Sequence, residues 1–433
     1  MIKSYLFELN NKIKKRKINV AIFGVGYVGI KLVLALGKKN CLVSCFDKDN
    51  KKIKKISKGI SPFSYISNKE IKNVKKNIIF PKNLSEVCNA DVIIMCLPTP
   101  LNKGKPDLSH IKNCWNQIKH YIKKGQLIIL ESTTYPGCTE EIFLGYLKKK
   151  FLIDKEIFLS YSPERENPGD NQFNFRNTPK VVSGVGKNSL NVCNNFYKLI
   201  TKKTVLTPSI KIAEMSKLLE NIYRSINIAL INELKIATTK LDINIYDVIK
   251  VASTKPFGFQ RFFPGPGTGG HCIPIDPIYF SWLSKKSGVN VKFIELSSKI
   301  NQIRTKWIIR KLKVLSKKFK KPKILLLGLS YKKNIEDTRE SASVKILEDL
   351  AKEKYLIDYC DPFNKKILLN FNNKKKYFFS KKFNKRLIQK YDLIVIATDH
   401  DKFNYTLIKN SKKTIVDLRG KYKNYKSKYI YQL

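Results

Sequence analysis

The feature that most constrains the fold of this chain is an apolar stretch, residues 18–23, that runs directly into Gly24, Gly26 and Gly29 and then into an apolar helix-like stretch, residues 30–36. This spacing predicts the strand, turn and helix of a dinucleotide-binding unit. The first glycine permits the tight turn, the second lets backbone amides approach a pyrophosphate, and the third lets the helix pack closely on the strand. The helix N-terminus then faces the phosphates. The pattern therefore predicts a doubly wound α/β sheet with a dinucleotide at this turn.

A carboxylate strengthens that prediction. Residues 42–46 form a second apolar stretch that ends at Asp47, about 20 residues beyond the glycine turn, where such sites place the acid that binds the ribose hydroxyls. Asp47 would also repel a 2′-phosphate, so NAD is favoured over NADP. The alternative is that Asp47 only begins a lysine-rich surface helix. Tyr27 and Val28, within the turn itself, are predicted to contact the same cofactor.

Further apolar stretches end in polar loops. Residues 92–96 lead to Leu97-Pro98-Thr99-Pro100, and residues 127–130 lead to Glu131-Ser132-Thr133. Residues 157–159 lead to a third loop, which contains Glu164 and Arg165. Because ligands of doubly wound sheets bind outside the carboxyl ends of the strands, these loops should line the cofactor or substrate cleft.

A long helix is predicted from about Ser209 to Lys240 and should join two domains. Its apolar residues repeat at helical spacing and are Ile212, Met215, Leu218, Leu219, Ile222, Ile226 and Leu230. Its polar residues, assigned to the other face, are Glu214, Lys217, Asn221, Arg224 and Asn232. Lys217 and Asn221 are four positions apart and therefore point the same way. For a lone lysine, however, a solvated side chain is the commoner outcome.

Residues 323–327 open a second α/β unit. It lacks the G-x-G-x-x-G pattern, so a second dinucleotide is not expected there. Lys332 and Arg339 follow its first strand and could instead hold a nucleotide diphosphate.

The segment 265–277 is rich in glycine and proline and contains Cys272, with Asp276 four positions later. Glycines allow close approach of a ligand and prolines stiffen the chain, so the loop should be shaped and rigid. Cys272 is therefore the candidate nucleophile, whereas the other eight cysteines are interpreted as small core residues. The odd count and the absence of a C-x-x-C pair indicate neither a zinc site nor a disulfide framework. A reduced, cytoplasmic setting is expected.

The formal net charge of +50 suggests a nucleic-acid or membrane partner at first sight. Only ten of the 84 basic residues are arginine, and the lysines are spread over nearly every segment without a binding motif. We therefore interpret them as a solvated surface that attracts a polyanionic substrate, and expect no nucleic-acid partner.

The apolar stretch 20–37 is interrupted by Lys31 and falls short of the ~20 apolar residues of a membrane span. No membrane association is expected.

Together these motifs resemble the nucleotide-sugar 6-dehydrogenases, the family of UDP-glucose and UDP-N-acetylhexosamine dehydrogenases. The resemblance covers nearly the whole chain. The matching motifs are Gly24-x-Gly26-x-x-Gly29, Leu97-Pro98-Thr99-Pro100, Ser132-Thr133, Ser162-Pro163-Glu164, Lys217 with Asn221, Cys272-x-x-x-Asp276, and Lys332 with Asp337-x-Arg339-x-Ser341.

The resemblance implies an α/β fold of two Rossmann-like, doubly wound domains joined by a long-helix central domain. An NAD-binding domain would span 1–208, a helical dimerisation domain with the cysteine loop 209–317, and a UDP-binding domain 318–433. A homodimer or higher homo-oligomer is implied, with a UDP-sugar as substrate and no metal.

The resemblance also implies roles for single residues. Cys272 would attack a C6 aldehyde, Lys217 and Asn221 would stabilise the C6 oxyanion, Asp276 with Thr133 would hold a water, and Glu164 would be the base of thioester hydrolysis. The implied cofactor contacts are Gly24, Gly26, Tyr27, Val28, Gly29, Asp47, Pro98, Thr99, Ser132, Thr133, Lys332 and Arg339. The implied substrate contacts are Glu164, Arg165, Lys217, Asn221, Arg224, Gly269, His271, Lys332 and Arg339.

The sequence from Gly269 to Pro277, followed by Tyr279 and Trp282, resembles the UDP-N-acetylglucosamine branch of the family. The implied reaction is NAD-dependent, four-electron oxidation of UDP-N-acetyl-D-glucosamine, or its C4 epimer, for surface polysaccharide precursors. The alternatives are a UDP-glucose 6-dehydrogenase, an idle NAD- or nucleotide-sugar-binding protein, a lysine-rich nucleic-acid binder and an ordinary NAD alcohol dehydrogenase. An ordinary alcohol dehydrogenase would need no thiol, so Cys272 discriminates against it.

Overall fold

The structure, a computed structural model, describes residues 4–63, 65–165, 175–270, 272–371 and 374–433. They divide into two compact units, Met1–Glu220 and Asn221–Leu433. Each unit is described by itself.

The first unit alternates strands and helices. Its strands are β1 (Asn19–Phe23), β2 (Leu42–Phe46), β3 (Ile78–Ile79), β4 (Val92–Met95), β5 (Leu101–Asn102), β6 (Lys105–Pro106), β7 (Leu127–Leu130), β8 (Phe158–Tyr161), β9 (Lys180–Val182) and β10 (Thr204–Leu206). Its helices are α1 (Tyr5–Lys14), α2 (Gly29–Gly37), α3 (Asn50–Ser57), α4 (Asn68–Val74), α5 (Ser109–Ile118), α6 (Cys138–Lys150), α7 (Lys187–Lys198) and the start of α8 (Ile210–Lys240).

Six strands form one parallel sheet in the order β3-β2-β1-β4-β7-β8. Strands β4, β7 and β8 are buried along their whole length, as expected for parallel strands covered on both faces. The strand order reverses between β1 and β4, which is where doubly wound sheets bind ligands. The prediction of a doubly wound α/β fold is confirmed.

At two positions of the turn between β1 and α2, Gly24 and Gly29, there is no room for a side chain. Gly24 has φ +92°, and a Cβ on it would lie 2.5 Å from the carbonyl oxygen of Cys96. A Cβ on Gly29 would clash with the carbonyl oxygen of Gly24 itself. These two glycines therefore close the turn against the end of β4.

The second unit repeats the α/β pattern after a helical segment. Its further helices are α9 (Ile245–Ala252), α10 (Asp276–Lys286), α11 (Lys292–Ser316), α12 (Ala342–Lys352), α13 (Lys385–Gln389) and α14 (Tyr405–Lys409). Its strands are β11 (Lys323–Leu327), β12 (Leu356–Cys360), β13 (Lys366–Phe371), β14 (Lys374–Phe379), β15 (Leu393–Ile396), β16 (Thr414–Asp417) and β17 (Ile430–Gln432). A parallel sheet has the order β12-β11-β15-β16-β17, and β13 and β14 form an antiparallel hairpin.

The predicted faces of α8 are wrong in part. Ile212, Leu219 and Leu230 were assigned to the apolar face, yet about half of each residue is exposed. Glu214 and Asn232, assigned to the polar face, are fully buried. The reason is that both buried polar groups have hydrogen-bond partners: Glu214 in the first turn of α6, and Asn232 in the cysteine loop and α11. A satisfied polar group can occupy a core position that an unsatisfied one cannot.

Within the described ranges, no helix combines the length and the apolar character that crossing a bilayer requires.

Candidate active site

A cavity of about 580 Å³ opens at the carboxyl ends of β1, β2 and β4. Gly24, Gly26, Asp47 and Pro98 are among the residues that line it. A Cβ on Gly26 would meet no described atom within 4 Å, so the backbone there is open to the cavity. A backbone that is open at the turn, with a carboxylate at the end of the next strand, fits a dinucleotide.

Asp47 connects the glycine turn to α3. Its Oδ2 accepts the N–H of Val25 at 2.9 Å and the ammonium of Lys52 at 2.7 Å, and its Oδ1 accepts the N–H of Asp49 at 2.9 Å. Lys52 also lines the cavity, and sequence reasoning missed it. Its position five residues after Asp47, in the first turn of α3, was the sequence signal that could have indicated a contact with Asp47.

The other predicted contacts of the turn have local structural roles. The Tyr27 ring stacks on Tyr65 with centroids 5.6 Å apart, and Val28 immediately precedes α2. Ser132 joins two strand-end loops, because its hydroxyl donates to the carbonyl oxygen of Leu97 at 2.8 Å and accepts the N–H of Leu97 at 2.9 Å.

The remaining residues of these loops differ in exposure. Pro98 is exposed, Thr99 is buried and Thr133 is half-buried. These loops therefore present both buried and accessible side chains at this edge of the sheet.

Three cysteines, Cys45, Cys96 and Cys114, line the cavity at the glycine turn. The eight cysteines other than Cys272 were all predicted to be core residues, and that prediction is wrong for Cys88, Cys96 and Cys114, which are only partly buried. Burial raises the pKa of the Cys114 thiol to about 12 and that of Cys96 well above its usual value. Both thiols therefore stay protonated and act as apolar lining.

Glu164 belongs to a buried ion cluster at the same edge of the sheet. The ammonium of Lys180 lies 2.9 Å from Glu164 Oε2 and 3.2 Å from Glu131 Oε1, and the Tyr197 hydroxyl donates to Glu131. Burial raises the pKa of Glu131, although the charge of Lys180 opposes this. Burial disfavours the charged form of Lys180, but the two carboxylates together outweigh that effect and raise its pKa. Sequence reasoning gave no role to Lys180, and it placed Glu131 only in a loop expected to line the cleft.

Arg165 and Lys217 complete the first unit's candidates. The guanidinium of Arg165 lies 2.7 Å from Glu220 and donates to the carbonyl oxygen of Pro179 at 3.0 Å. Lys217 is half-buried on α8. One turn earlier on α8, the Glu214 carboxylate accepts the Thr139 N–H at 2.9 Å, which fixes α8 to the first turn of α6.

In the second unit, side chains of two helices hold the start of the cysteine loop. Asn232 of α8 accepts the N–H of Gly265 at 3.0 Å, and Arg304 of α11 donates to the Gly265 carbonyl oxygen at 3.0 Å. Thr305 donates to the carbonyl oxygen of Pro266 at 2.8 Å. The start of the loop is therefore held through its backbone.

Cys272, Asp276 and Asn221 come together at the start of α10. The carbonyl oxygen of Cys272 accepts the N–H of Asp276 at 2.8 Å, and Asn221 Nδ2 donates to Asp276 Oδ2 at 2.5 Å. Asn221 and Asp276 are buried, whereas Cys272 is partly exposed. The result is a partly exposed cysteine whose backbone bonds to one member of a buried amide–carboxylate pair.

The loop after β11 packs against the cysteine loop. A Cβ on Gly269 or Gly270 would lie 2.6 or 2.9 Å from Tyr331, and the N–H of Gly270 donates to the carbonyl oxygen of Arg339 at 2.9 Å. The guanidinium of Arg339 contacts Asp337 at 2.9 and 2.6 Å. Lys332, next to Tyr331, is half-buried.

Arg224 and His271 were also predicted to contact the substrate. Arg224 is exposed on α8, and His271 lies outside the described residues.

Three models of one family match successive parts of the chain. They are the UDP-glucose/GDP-mannose dehydrogenase family's NAD-binding domain at residues 18–201, its central domain at 211–303 and its UDP-binding domain at 325–424. The chain belongs to the UDP-glucose/GDP-mannose dehydrogenase family. It is thus an NAD-binding oxidoreductase with the three-domain architecture of that family.

Relatives within the family carry different sugar names. The chain is 34% identical to a UDP-N-acetyl-D-glucosamine 6-dehydrogenase of Pseudomonas aeruginosa, over 80% of this chain and 83% of that protein. It is 32% identical to a UDP-N-acetyl-D-mannosamine dehydrogenase of Methanococcus vannielii, over 91% and 89%. A solved UDP-D-ManNAc dehydrogenase from Pyrococcus horikoshii superposes with a TM-score of 0.81 at 26% identity, covering 93% of this chain and 95% of that one.

Proposed function

We propose that this chain is an NAD-dependent UDP-N-acetylhexosamine 6-dehydrogenase. It oxidises the C6 hydroxyl of UDP-N-acetyl-D-glucosamine to a carboxylate through a thioester on Cys272, in the synthesis of surface polysaccharide precursors. The observation that carries the proposal is the partly exposed Cys272 in a rigid glycine turn, beside the buried Asn221–Asp276 pair. The names of the relatives support the substrate class.

The family's NAD supplies the acceptor for the hydride that leaves C6, once from the alcohol and once from the thiohemiacetal. Gly24, Gly26 and Asp47 would hold it, since they line the cavity at the glycine turn. The Cys272 thiol has a separate chemical role. After the first oxidation, the Cys272 thiolate adds to the aldehyde carbon, a C–S bond forms, and the oxygen takes a proton to give a thiohemiacetal.

Loss of the second hydride from that carbon, and of the hydroxyl proton, leaves a thioester. A water molecule then attacks the thioester carbonyl while Glu164 takes its proton, and the C–S bond breaks to return the Cys272 thiolate. The acyl group leaves as the uronic acid. We assign the water-holding role to Asp276 and Thr133.

Stabilisation of the C6 oxyanion is assigned to Lys217 and Asn221. Both lie on α8, and their spacing of four places them on one side of the helix. The hydrogen bond to Asp276 fixes the rotamer of Asn221, so its amide is preorganised and needs no reordering during the reaction. Lys332 and Arg339 are assigned to the UDP diphosphate, which the lysine-rich surface would also attract.

The identity of the sugar substrate has to be determined by experiment. Relatives named for the gluco and manno sugars are similarly close to this chain in sequence, at 34% and 32% identity. We expect UDP-N-acetyl-D-glucosamine to give the highest kcat/KM in a panel with its C4 epimer, UDP-N-acetyl-D-mannosamine and UDP-glucose. A higher value for the manno sugar would correct the epimer and keep the chemistry. A higher value for UDP-glucose would overturn the N-acetylhexosamine class, and no NADH with any sugar would favour an idle binding protein.

We also propose a homodimer through α8 and a cytoplasmic location. None of the nine cysteines, all of which lie in the described ranges, forms a disulfide, which suits a reducing compartment. Large apolar side chains that are 40–67% exposed recur along α8 and just beyond it at eleven-residue intervals. They are Ile212, Tyr223 and Leu234 in one series and Leu219, Leu230 and Leu241 in the other. An eleven-residue period matches about 3.67 residues per turn, so these side chains form one stripe that a second copy can cover.

A further inference from the structure

A single lysine ammonium lies between two carboxylates at the carboxyl edge of the first sheet. Lys180 begins β9, and its N–H donates to the carbonyl oxygen of Lys203 at 2.9 Å, which fixes its backbone. Its Nζ contacts Glu164 at 2.9 Å and Glu131 at 3.2 Å. Glu131 follows β7 and Glu164 follows β8, so the cluster joins the ends of neighbouring strands.

The cluster is largely buried, and Glu164 is its most exposed member. The side chains of Lys180 and Glu131 are 4% and 0% exposed, and that of Glu164 is 13% exposed. The Lys180 ammonium also lies 5.1 Å from the ring centroid of Tyr197 and 5.5 Å from that of Phe175. At such buried positions these charges interact more strongly than they would at the surface.

Other titratable groups around the cluster come from the strands and helix packed against it. The Cys96 thiol of the β4 loop lies 3.8 Å from Glu131 Oε2, and Tyr197 and Cys193 of α7 face Glu131 and Lys180. Arg165, next to Glu164, is paired with Glu220. Among these, Lys180 is the cation that contacts the Glu164 carboxylate.

Stability alone does not account for such a cluster. A buried ion pair is often no better for folding than apolar residues of the same volume, because desolvation cancels much of the attraction. Among the described residues, this cluster also places two carboxylates around the same ammonium. Its location at Glu164, the residue assigned to thioester hydrolysis, points to a role in the reaction.

We propose that Lys180 is a positioning residue that orients the Glu164 carboxylate and keeps it ionised for thioester hydrolysis, while Glu131 shares the same ammonium and limits that effect. This inference rests on the proposed function of Glu164. Both carboxylates thus share the Lys180 ammonium. The raised pKa of Glu131 agrees with this, since burial and the charge of Glu164 both disfavour its ionised form.

The test is the pH profile of kcat for variants of the cluster. Removing the ammonium in Lys180→Met raises the pKa of Glu164, so the acidic limb of the profile should move to higher pH by about one unit or more. Lys180→Arg keeps the charge and should keep the limb near its wild-type position. Glu131→Gln removes the competitor, so its limb should stay in place or move to lower pH.

The matched control is Lys203→Ala, which removes an exposed lysine from the segment that pairs with β9. Its profile should be that of the wild type. A pre-steady-state measurement adds a second readout: Lys180→Met should slow the steady state more than the initial burst of NADH, because hydrolysis follows both hydride transfers.

Two results overturn the proposal and leave the proposed function standing. One is that the wild type forms two NADH per sugar, while the rate of the Lys180→Met variant is lower than that of the wild type by the same factor at every pH. The other is an upward shift of the limb in Glu131→Gln. A wild type that forms no NADH overturns the proposed function, and this inference with it.

Discussion

Asn221 donates its side-chain amide to the carboxylate of Asp276 at 2.5 Å, and both residues are buried at the start of α10. The pair connects the long helix α8 to the turn that contains Cys272. A charge-assisted hydrogen bond of this kind is roughly twice as strong as a neutral one. The turn that contains Cys272 is therefore fixed by an element far from it in sequence.

Removing the amide should impair the reaction more than substrate binding. Asn221→Ala leaves the buried Asp276 carboxylate without this donor and removes the assigned oxyanion contact. We expect kcat to fall by about 10²-fold or more with a smaller change in KM. Steady-state kinetics tests this, with Asn227→Ala, on the same helix, as the control. Equal losses in both variants would contradict the assignment.

A methyl group at Gly26 should block the cofactor without unfolding the protein. A Cβ there meets no described atom within 4 Å, so Gly26→Ala should melt at the wild-type temperature. The same methyl would occupy the space through which backbone amides approach a pyrophosphate. We expect the Kd of NAD, measured by calorimetry, to rise by about tenfold or more, or 1.4 kcal/mol. Unchanged affinity would mean that the cofactor does not use this turn.

The Tyr331 contact makes Gly270 essential to the cysteine loop. Gly270 has φ +87°, and a Cβ would lie 2.9 Å from the Tyr331 ring. Gly104 has φ +73° with open space around it, so it is a matched control for backbone strain alone. We expect Gly104→Ala to cost about 1 kcal/mol of stability and no activity. Gly270→Ala should lose activity as well, because the loop must move, and full activity would contradict this.

Stability should depend on pH through Glu214. Burial raises the pKa of Glu214 from its usual 4.5 to about 7, although hydrogen bonds from Thr139 and Gly137 oppose the change. The folded state therefore holds a proton that the unfolded state releases between these values, so the free energy of unfolding should fall as pH rises through this window. Glu214→Gln should flatten that part of the curve in denaturant titrations. An unchanged slope would show that Glu214 ionises normally.

The exposed stripe of α8 should determine the oligomeric state. Leu230 and Leu234 are 49% and 40% exposed on this helix. If a second copy covers them, lysine at both positions would place charges in an apolar interface and should give a monomer in light scattering. Lysine at Leu152, which is 61% exposed and outside the stripe, is the control and should leave the mass unchanged. A double variant that keeps the wild-type mass would place the interface elsewhere.

The glycine turn and the strand-end loops could be predicted because their signals are local. The motif formed by Gly24, Gly26 and Gly29 is recognised from spacing within six residues. The burial of the strands is predicted from their continuous apolar sequence. The cysteine loop was likewise identifiable, since four glycines and a thiol lie within a few residues of one another.

The ion cluster could not be predicted in the same way. Lys180 meets Glu131 and Glu164 only after three separate segments assemble at one edge of the sheet, and one lysine among 84 basic residues carries no signal. The faces of α8 were assigned wrongly for a related reason. The partner of Glu214, Thr139, lies 75 residues away, so periodicity alone placed it in solvent.

The central claim is that Cys272 carries a thioester, and the most direct test is the number of NADH formed per UDP-sugar consumed. We predict two NADH per sugar for the wild type and for Cys88→Ala, which removes another partly exposed thiol, and loss of that stoichiometry in Cys272→Ala. One NADH per sugar in the wild type, or two in the absence of Cys272, would contradict the account.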